Sequence, residues 1–169
     1  TMVMLARLLA TDKSIKHPKI LLVTDRTDLD KQLSDTFKDC ELSVEKAATG
    51  TRLTELLKEH TDKVITTTIH KFEIVVSQLN KALTSSEIFV LIDEAHRTQY
   101  GRLGVKMQQV FPKACFIAFT GTPLMKKEKN TAAKFGGIIG TPYTITDAVA
   151  DGAIVPILYE GRHNLFDLN

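Results

Sequence analysis

Apolar residues in this chain fall into short unbroken runs, separated by segments that are apolar only at helical spacing. The runs cover Lys19–Thr24, 64–69, Ile88–Ile92 and Cys115–Phe119. Three of them are rich in Ile, Leu, Val and Phe with no polar break inside, and 64–69 is β-branched throughout, Thr66 to Thr68 included. Runs apolar on both faces read as parallel strands covered by helices on either side. A weaker strand is expected over 42–47 and a last one over 154–159, interrupted at Pro156. Between them the spacing predicts helices over 1–9, from a Thr27 or Asp28 cap to about Phe37, and over 53–58, 72–83, 103–110 and 146–150. His17-Pro18 breaks the first helix, Gly50 marks a turn, and Gly136-Gly137 marks a loop. Strands alternating with helices give an α/β fold with a mainly parallel sheet.

The run from Ile88 to Ile92 is the most central of these and ends abruptly in Asp93 and Glu94. In open parallel sheets ligands sit just beyond the carboxyl ends of the strands. Two adjacent acids there suit nucleotide hydrolysis: Asp93 can hold Mg²⁺ through its waters, and Glu94 can orient and deprotonate the attacking water. Taken alone, the pair fits equally well with a strand that ends in a solvated acidic turn. A second polar loop, Thr120-Gly121-Thr122-Pro123, closes the run at Cys115–Phe119.

Composition narrows the classes without choosing among them. The length of 169 residues suits one domain, and a net charge of +2 is too small to argue for nucleic acid by itself. Cys40 and Cys115 give no disulfide or metal framework and fit a reducing, cytoplasmic setting. His17, His60, His70 and His163 lack metal-ligand spacing, and the aromatic residues form no array for stacking single-stranded bases. No apolar stretch approaches the roughly 20 residues that span a bilayer, and no signal peptide is visible. The chain begins at Thr1 in mid-helical pattern, as expected of an excised piece.

Four strings in order carry a family resemblance. Asp93-Glu94-Ala95-His96 and Phe119-Thr120-Gly121-Thr122-Pro123 resemble motifs II and III of superfamily 2 helicases and translocases. Thr24-Asp25-Arg26, with Leu29 and Gln32, resembles motif Ia, and the string from Ile65 to Phe72 resembles motif Ib. Val23-Thr24-Asp25-Arg26-Thr27-Asp28-Leu29-Asp30, the stretch 126–132 and the stretch 143–152 are similar to the motor (R) subunit of type I restriction enzymes. The resemblance covers nearly the whole chain. It implies a three-layer RecA-like domain of the P-loop NTPase class, with residues 1–169 forming part of the first motor domain and about 141–169 leading toward the second. It implies ATP and Mg²⁺ as cofactors, double-stranded DNA as the track, and modification and specificity subunits as partners, with cleavage by a nuclease domain outside this chain.

By the same resemblance Asp93 would hold Mg²⁺ and Glu94 would be the general base. His96, Thr120 and Thr122 would couple hydrolysis to domain movement. Thr24, Arg26, Thr67 and Lys71 would reach DNA phosphates from the strand ends, a contact that carries no base sequence. For Arg26 and Lys71 the plain alternative is a solvated or ion-paired cation. For Lys126, Lys127 and Lys129, interrupted by Glu128, a solvated face is the stronger reading.

The departures from the family are equally specific. The phosphate-binding string ending Gly-Lys-Ser/Thr (the Walker A loop) is missing, and Gly136-Gly137-Ile138-Ile139-Gly140-Thr141 has no lysine to replace it. In the family that loop directly precedes the helix that Thr1 continues, so this chain alone is expected to bind ATP weakly. The strand before that loop would lie beside the run ending at Phe119, which is therefore expected to be an open sheet edge. Two other readings stay open. One is a different superfamily 2 DNA-dependent ATPase, such as a repair helicase; the other is a degenerate motor domain serving as a DNA-binding scaffold.

Overall fold

A computed structural model describes residues 1–25, 36–37, 43–59, 63–79, 81–93, 100–122 and 131–156. Its elements, in order, are α1 (Met2–Thr11), β1 (Lys19–Thr24), β2 (Val44–Lys46), α2 (Gly50–Lys58), β3 (Lys63–Thr68), a 3₁₀ turn (Ile69–Lys71), α3 (Phe72–Gln78), β4 (Ile88–Asp93), α4 (Tyr100–Val110), β5 (Cys115–Phe119), α5 (Thr131–Lys134) and α6 (Ile145–Ala150). Among the described residues the five strands form one sheet in the order β2-β3-β1-β4-β5, and every pairing in it is parallel. All carboxyl ends therefore share one edge of the sheet.

Both sheet faces are covered, which is why the strands read as continuous apolar runs. On one face Leu21, Val23, Ile65, Val90 and Ile92 pack with Leu53, Leu56 and Leu57 of α2, Phe72 and Val75 of α3, and Met107 of α4. Phe72 meets Phe111 edge-on, with ring centroids 6.0 Å apart. On the other face Ile20, Leu22, Val64 and Leu91 pack with Met2 and Ala6 of α1 and with Phe37. Burying each such side chain is worth about 1.5–3 kcal/mol, enough to set the register of every strand. The result is the expected helix–sheet–helix α/β architecture. The two edge strands are the exceptions: β2 is half-buried to exposed, and β5 has Cys115 exposed and its other four residues half-buried.

Several helix limits differ from the sequence expectation, each for a local reason. α2 begins at Gly50 rather than 53, because the Thr49 side chain accepts the Arg52 amide at 3.1 Å and caps it. Its far end is held by Lys19, whose ammonium donates to the carbonyls of Leu57 at 2.8 Å and Glu59 at 2.7 Å. α3 stops at Gln78 rather than 83. Leu79 is extended, and Leu83 instead donates its amide to Val110 O at 2.7 Å, tying that segment to the end of α4. α4 starts at Tyr100, earlier than 103. Residues 154–156 are not in a strand. Most of the helix expected from Thr27 or Asp28 lies outside the described residues, although 36–37 are helical.

The chain divides into two compact units, Thr1–Gly137 and Ile138–Asn169. The first contains the sheet. In the second, α6 opens on a reciprocal cap between Thr144 and Asp147 and closes at Gly152, whose φ of 69° is the left-handed conformation glycine favours. Among the described residues no helix is long and apolar enough to cross a membrane.

Candidate nucleotide and nucleic-acid site

The parallel register assembles the predicted residues along one edge. Thr24 at the end of β1 pairs with Thr68 at the end of β3, and Asp93 at the end of β4 pairs with Phe119 at the end of β5. Asp93 and Thr120 are both half-buried, and Thr122 is exposed. The Thr122 amide donates to Thr120 Oγ1 at 3.2 Å, a side-chain-closed turn that fixes how the chain leaves β5. The acidic end of β4 and the Thr120–Thr122 turn thus stand on adjacent strands. Glu94, His96 and Arg26 lie outside the described residues, as do Lys126, Lys127 and Lys129.

The residues expected to reach DNA separate into two kinds. Thr24 and Thr67 are fully buried, and Thr67 Oγ1 donates to Thr68 O at 3.4 Å. With no surface open, neither side chain is available for direct phosphate contact in this conformation. Burial on both sheet faces continues to the last residue of the strand, which a strand-end reading of the sequence does not anticipate. Lys71, on the 3₁₀ turn after β3, is half-buried, and its ammonium donates to Ala47 O at 2.5 Å.

Sequence reasoning assigned no role to two residues at the same edge. Asp25 follows β1 with a side chain only 9% exposed, and its Oδ1 lies 3.9 Å from Nε2 of the exposed His70. Their positions inside the Thr24-Asp25-Arg26 and Ile69-His70-Lys71 strings were the available signal.

The donor chemistry fits a hard cation. Among the described residues there is no cluster of three or more His, Cys, Asp or Glu side chains able to hold a metal. Mg²⁺ is commonly held by one or two carboxylates, with waters and substrate phosphates completing the shell. β4 lies beside the edge strand β5, and β1, not β4 as its apolar run implied, stands at the centre of the sheet; a half-buried carboxylate at the carboxyl end of β4 suits the role all the same, and Asp93 is the described residue that would supply it.

The sequence matches the SWI2/SNF2 ATPase family over residues 1–169. The chain belongs to the SWI2/SNF2 ATPase family. Its similarity to type I restriction enzymes is also plain. It is 35% identical over 184 residues to the HindI type I restriction endonuclease subunit of Haemophilus influenzae, covering 98% of this chain and 17% of that protein. It is 33% identical over 146 residues to the SsaAORF53P type I endonuclease subunit of Staphylococcus saprophyticus, covering 81% of this chain and 16% of that one. The chain therefore spans about one-sixth of the length of these relatives. A nuclease-deletion mutant of the Type ISP restriction-modification enzyme LlaGI, solved with a DNA substrate mimic, shares the fold. The TM-score is 0.57 at 17% identity, over 89% of this chain and 17% of that one. This SWI2/SNF2 ATPase chain thus has the RecA-like α/β fold that its motifs implied.

Proposed function

We propose that this chain is part of the ATP-driven motor of a type I restriction endonuclease subunit, which moves double-stranded DNA before a nuclease domain elsewhere in the protein cuts it. The observation that carries the reading is the placement of Asp93 beside the Thr120–Thr122 turn, at the carboxyl edge of a SWI2/SNF2 ATPase sheet. In this reading Asp93 holds Mg²⁺ through its waters and Glu94 is the general base for ATP hydrolysis. His96, Thr120 and Thr122 report the state of the nucleotide to the rest of the motor. Arg26 and Lys71 contact DNA phosphates, while the buried Thr24 and Thr67 support the strand ends that carry them. The partners are double-stranded DNA and the modification and specificity subunits of a restriction-modification complex.

The test uses the complete parent subunit assembled with those partners. Double-stranded DNA should stimulate ATP hydrolysis, and hydrolysis should displace a protein roadblock bound downstream of the recognition site. ATP hydrolysis that leaves the roadblock in place, whatever the DNA length, would sink translocation as the function.

A further inference from the structure

We propose that His70 adds a proton-dependent phosphate contact to the DNA edge, with Asp25 as the positioning residue that sets the direction of its imidazole. The inference rests on the proposed DNA-moving function and deepens it. Phosphate contact from this edge is already part of that reading; a grip that tightens as pH falls is not.

The placement follows from register. Thr24 and Thr68 pair at the ends of β1 and β3, so Asp25 and the 3₁₀ turn Ile69–Lys71 leave the sheet at neighbouring points. Ile69 and Phe72 are fully buried and pin the turn on either side. His70 between them is not drawn in: its side chain is 57% exposed, whereas that of Asp25 is 9% exposed. Nε2 of His70 lies 3.9 Å from Oδ1 of Asp25, an ion-pair distance when the ring is charged. Asp25 has a further polar contact of its own. It is therefore a carboxylate already held in place that the ring faces, and not one that depends on the ring.

Chemistry then assigns the two ring nitrogens. A nitrogen that faces a carboxylate carries the proton, and in the neutral ring the other nitrogen, Nδ1, is an acceptor. An acceptor repels a phosphate oxygen. In the imidazolium both nitrogens donate, so Nε2 stays toward Asp25 while Nδ1–H donates to a phosphate. The contact therefore takes up a proton, and histidine exchanges that proton between about pH 5 and 8. The other described charged groups on the elements around the turn are Lys71, Lys46 and Glu73. Lys71 on the turn itself donates to Ala47 O, Lys46 ends β2, and Glu73 in the first turn of α3 pairs with Lys106 at 3.6 Å. Among the described residues Asp25 is the charged group at ion-pair distance from the imidazole.

The test is double-stranded DNA binding by the complete parent subunit without nucleotide, so that the phosphates read are those of DNA. The slope of log affinity against log salt counts neutralised phosphates, at about 0.9 each, and is measured at about pH 6 and about pH 8. It should be steeper at the lower pH by up to about 0.9, with affinity at low salt higher by roughly tenfold. His70→Gln should remove that difference, and His70→Lys, charged at both pH values, should give the steeper slope at both. Asp25→Asn keeps the side-chain shape; it should shrink the pH difference, and it should have no effect on it in a His70→Gln background. A pH difference undiminished in His70→Gln, or an equal loss of affinity at both pH values, would overturn the proposal, since a merely structural histidine acts whatever its charge. An Asp25→Asn effect of equal size in both backgrounds would overturn the positioning role. A slope lowered at about pH 6 by Lys71→Ala and not by His70→Gln would overturn the inference and leave the DNA reading standing. If Arg26→Ala, Lys71→Ala and His70→Gln all leave that slope unchanged, this edge is not the DNA track and both fall together.

Discussion

Asp93 pairs in register with Phe119, so Thr120 stands one residue beyond the carboxylate on the adjacent strand. This adjacency lets a change at the acid be felt by a turn that leads out of the sheet, because Thr120 Oγ1 also holds the Thr122 amide. A parallel sheet makes the juxtaposition unavoidable, since both strands finish at the same edge.

The two acids should fail in different ways in the complete subunit. Glu94→Gln removes a base while keeping its shape, so nucleotide binding should persist while turnover falls about 10²–10⁴-fold. Asp93→Asn should instead weaken Mg²⁺-nucleotide binding. Equilibrium binding and single-turnover hydrolysis separate the two. Near-normal turnover in Glu94→Gln, or an unaltered Mg²⁺ requirement in Asp93→Asn, would remove the role assigned to that residue.

Arg26 and Lys71 should act on DNA without regard to sequence. If each neutralises one phosphate, replacing either by Ala should lower the slope of log affinity against log salt by about one unit, equally on specific and non-specific DNA. Lys71 already donates to Ala47 O, so a purely structural Lys71 is the competing account. That account predicts weaker binding with an unchanged slope, and a salt titration of Lys71→Ala distinguishes them.

Most of the fold was legible because burial on both sheet faces writes a simple pattern. The runs at Lys19–Thr24 and Cys115–Phe119 each became a strand with those limits, and the run Ile88–Ile92 became one that extends a residue further, to Asp93. The errors fell where a single side chain or a tertiary hydrogen bond decided an element's end. Thr49 moved the start of α2, and the Leu83–Val110 bond took over a segment whose spacing alone reads as helix. At the site, the positions of Asp93, Thr120 and Thr122 at strand ends followed from the same pattern. The burial of Thr24 and Thr67 did not, because sequence shows where a strand stops and not how deep its last residue lies. The approach of Asp25 to His70 was hidden for a related reason: it depends on β1 and β3 being neighbours, and strand order is not written in any one segment.

Gly50 lies so close to α3 that a β-carbon there would stand 2.5 Å from Ile74 Cβ. Gly50→Ala should therefore destabilise the first unit by about 1–3 kcal/mol, despite the better helix propensity of alanine, because α2 and α3 must separate to admit the methyl group. Adding Ile74→Ala should restore only part of the loss, because alanine removes the Cδ1 and Cγ1 contacts at 2.8 and 3.0 Å but keeps the β-carbon that stands 2.5 Å away. Urea denaturation of the three variants measures it. Stabilisation by Gly50→Ala alone would show that the two helices give way freely.

The cap of α6 should make the second unit sensitive to acid. Thr144 Oγ1 donates to Asp147 Oδ2 at 2.6 Å, the Thr144 amide donates to the same oxygen at 2.8 Å, and the Asp147 amide donates back to Thr144 Oγ1 at 3.3 Å. The Thr144 hydroxyl, followed by its amide, holds the Asp147 carboxyl below its usual value of 3.8. A carboxylate whose folded pKa is depressed stabilises the fold fully above its unfolded pKa and loses that contribution as pH falls through the folded one. Helical chemical shifts across Ile145–Ala150 should thus be constant near neutrality and decay only below about pH 4. Asp147→Asn cannot be protonated in that range, so its helix should be weaker at neutral pH and show no acid step of this origin. Thr144→Ala removes the donor and the cap together, costing about 1 kcal/mol of helix stability at neutral pH. It should also move the midpoint of the acid step, followed at the Asp147 carboxyl itself, back up toward the ordinary carboxylate value. An acid step in Asp147→Asn identical to that of the parent chain would show that another group drives it, and an unmoved midpoint in Thr144→Ala would show that the cap does not hold the carboxylate.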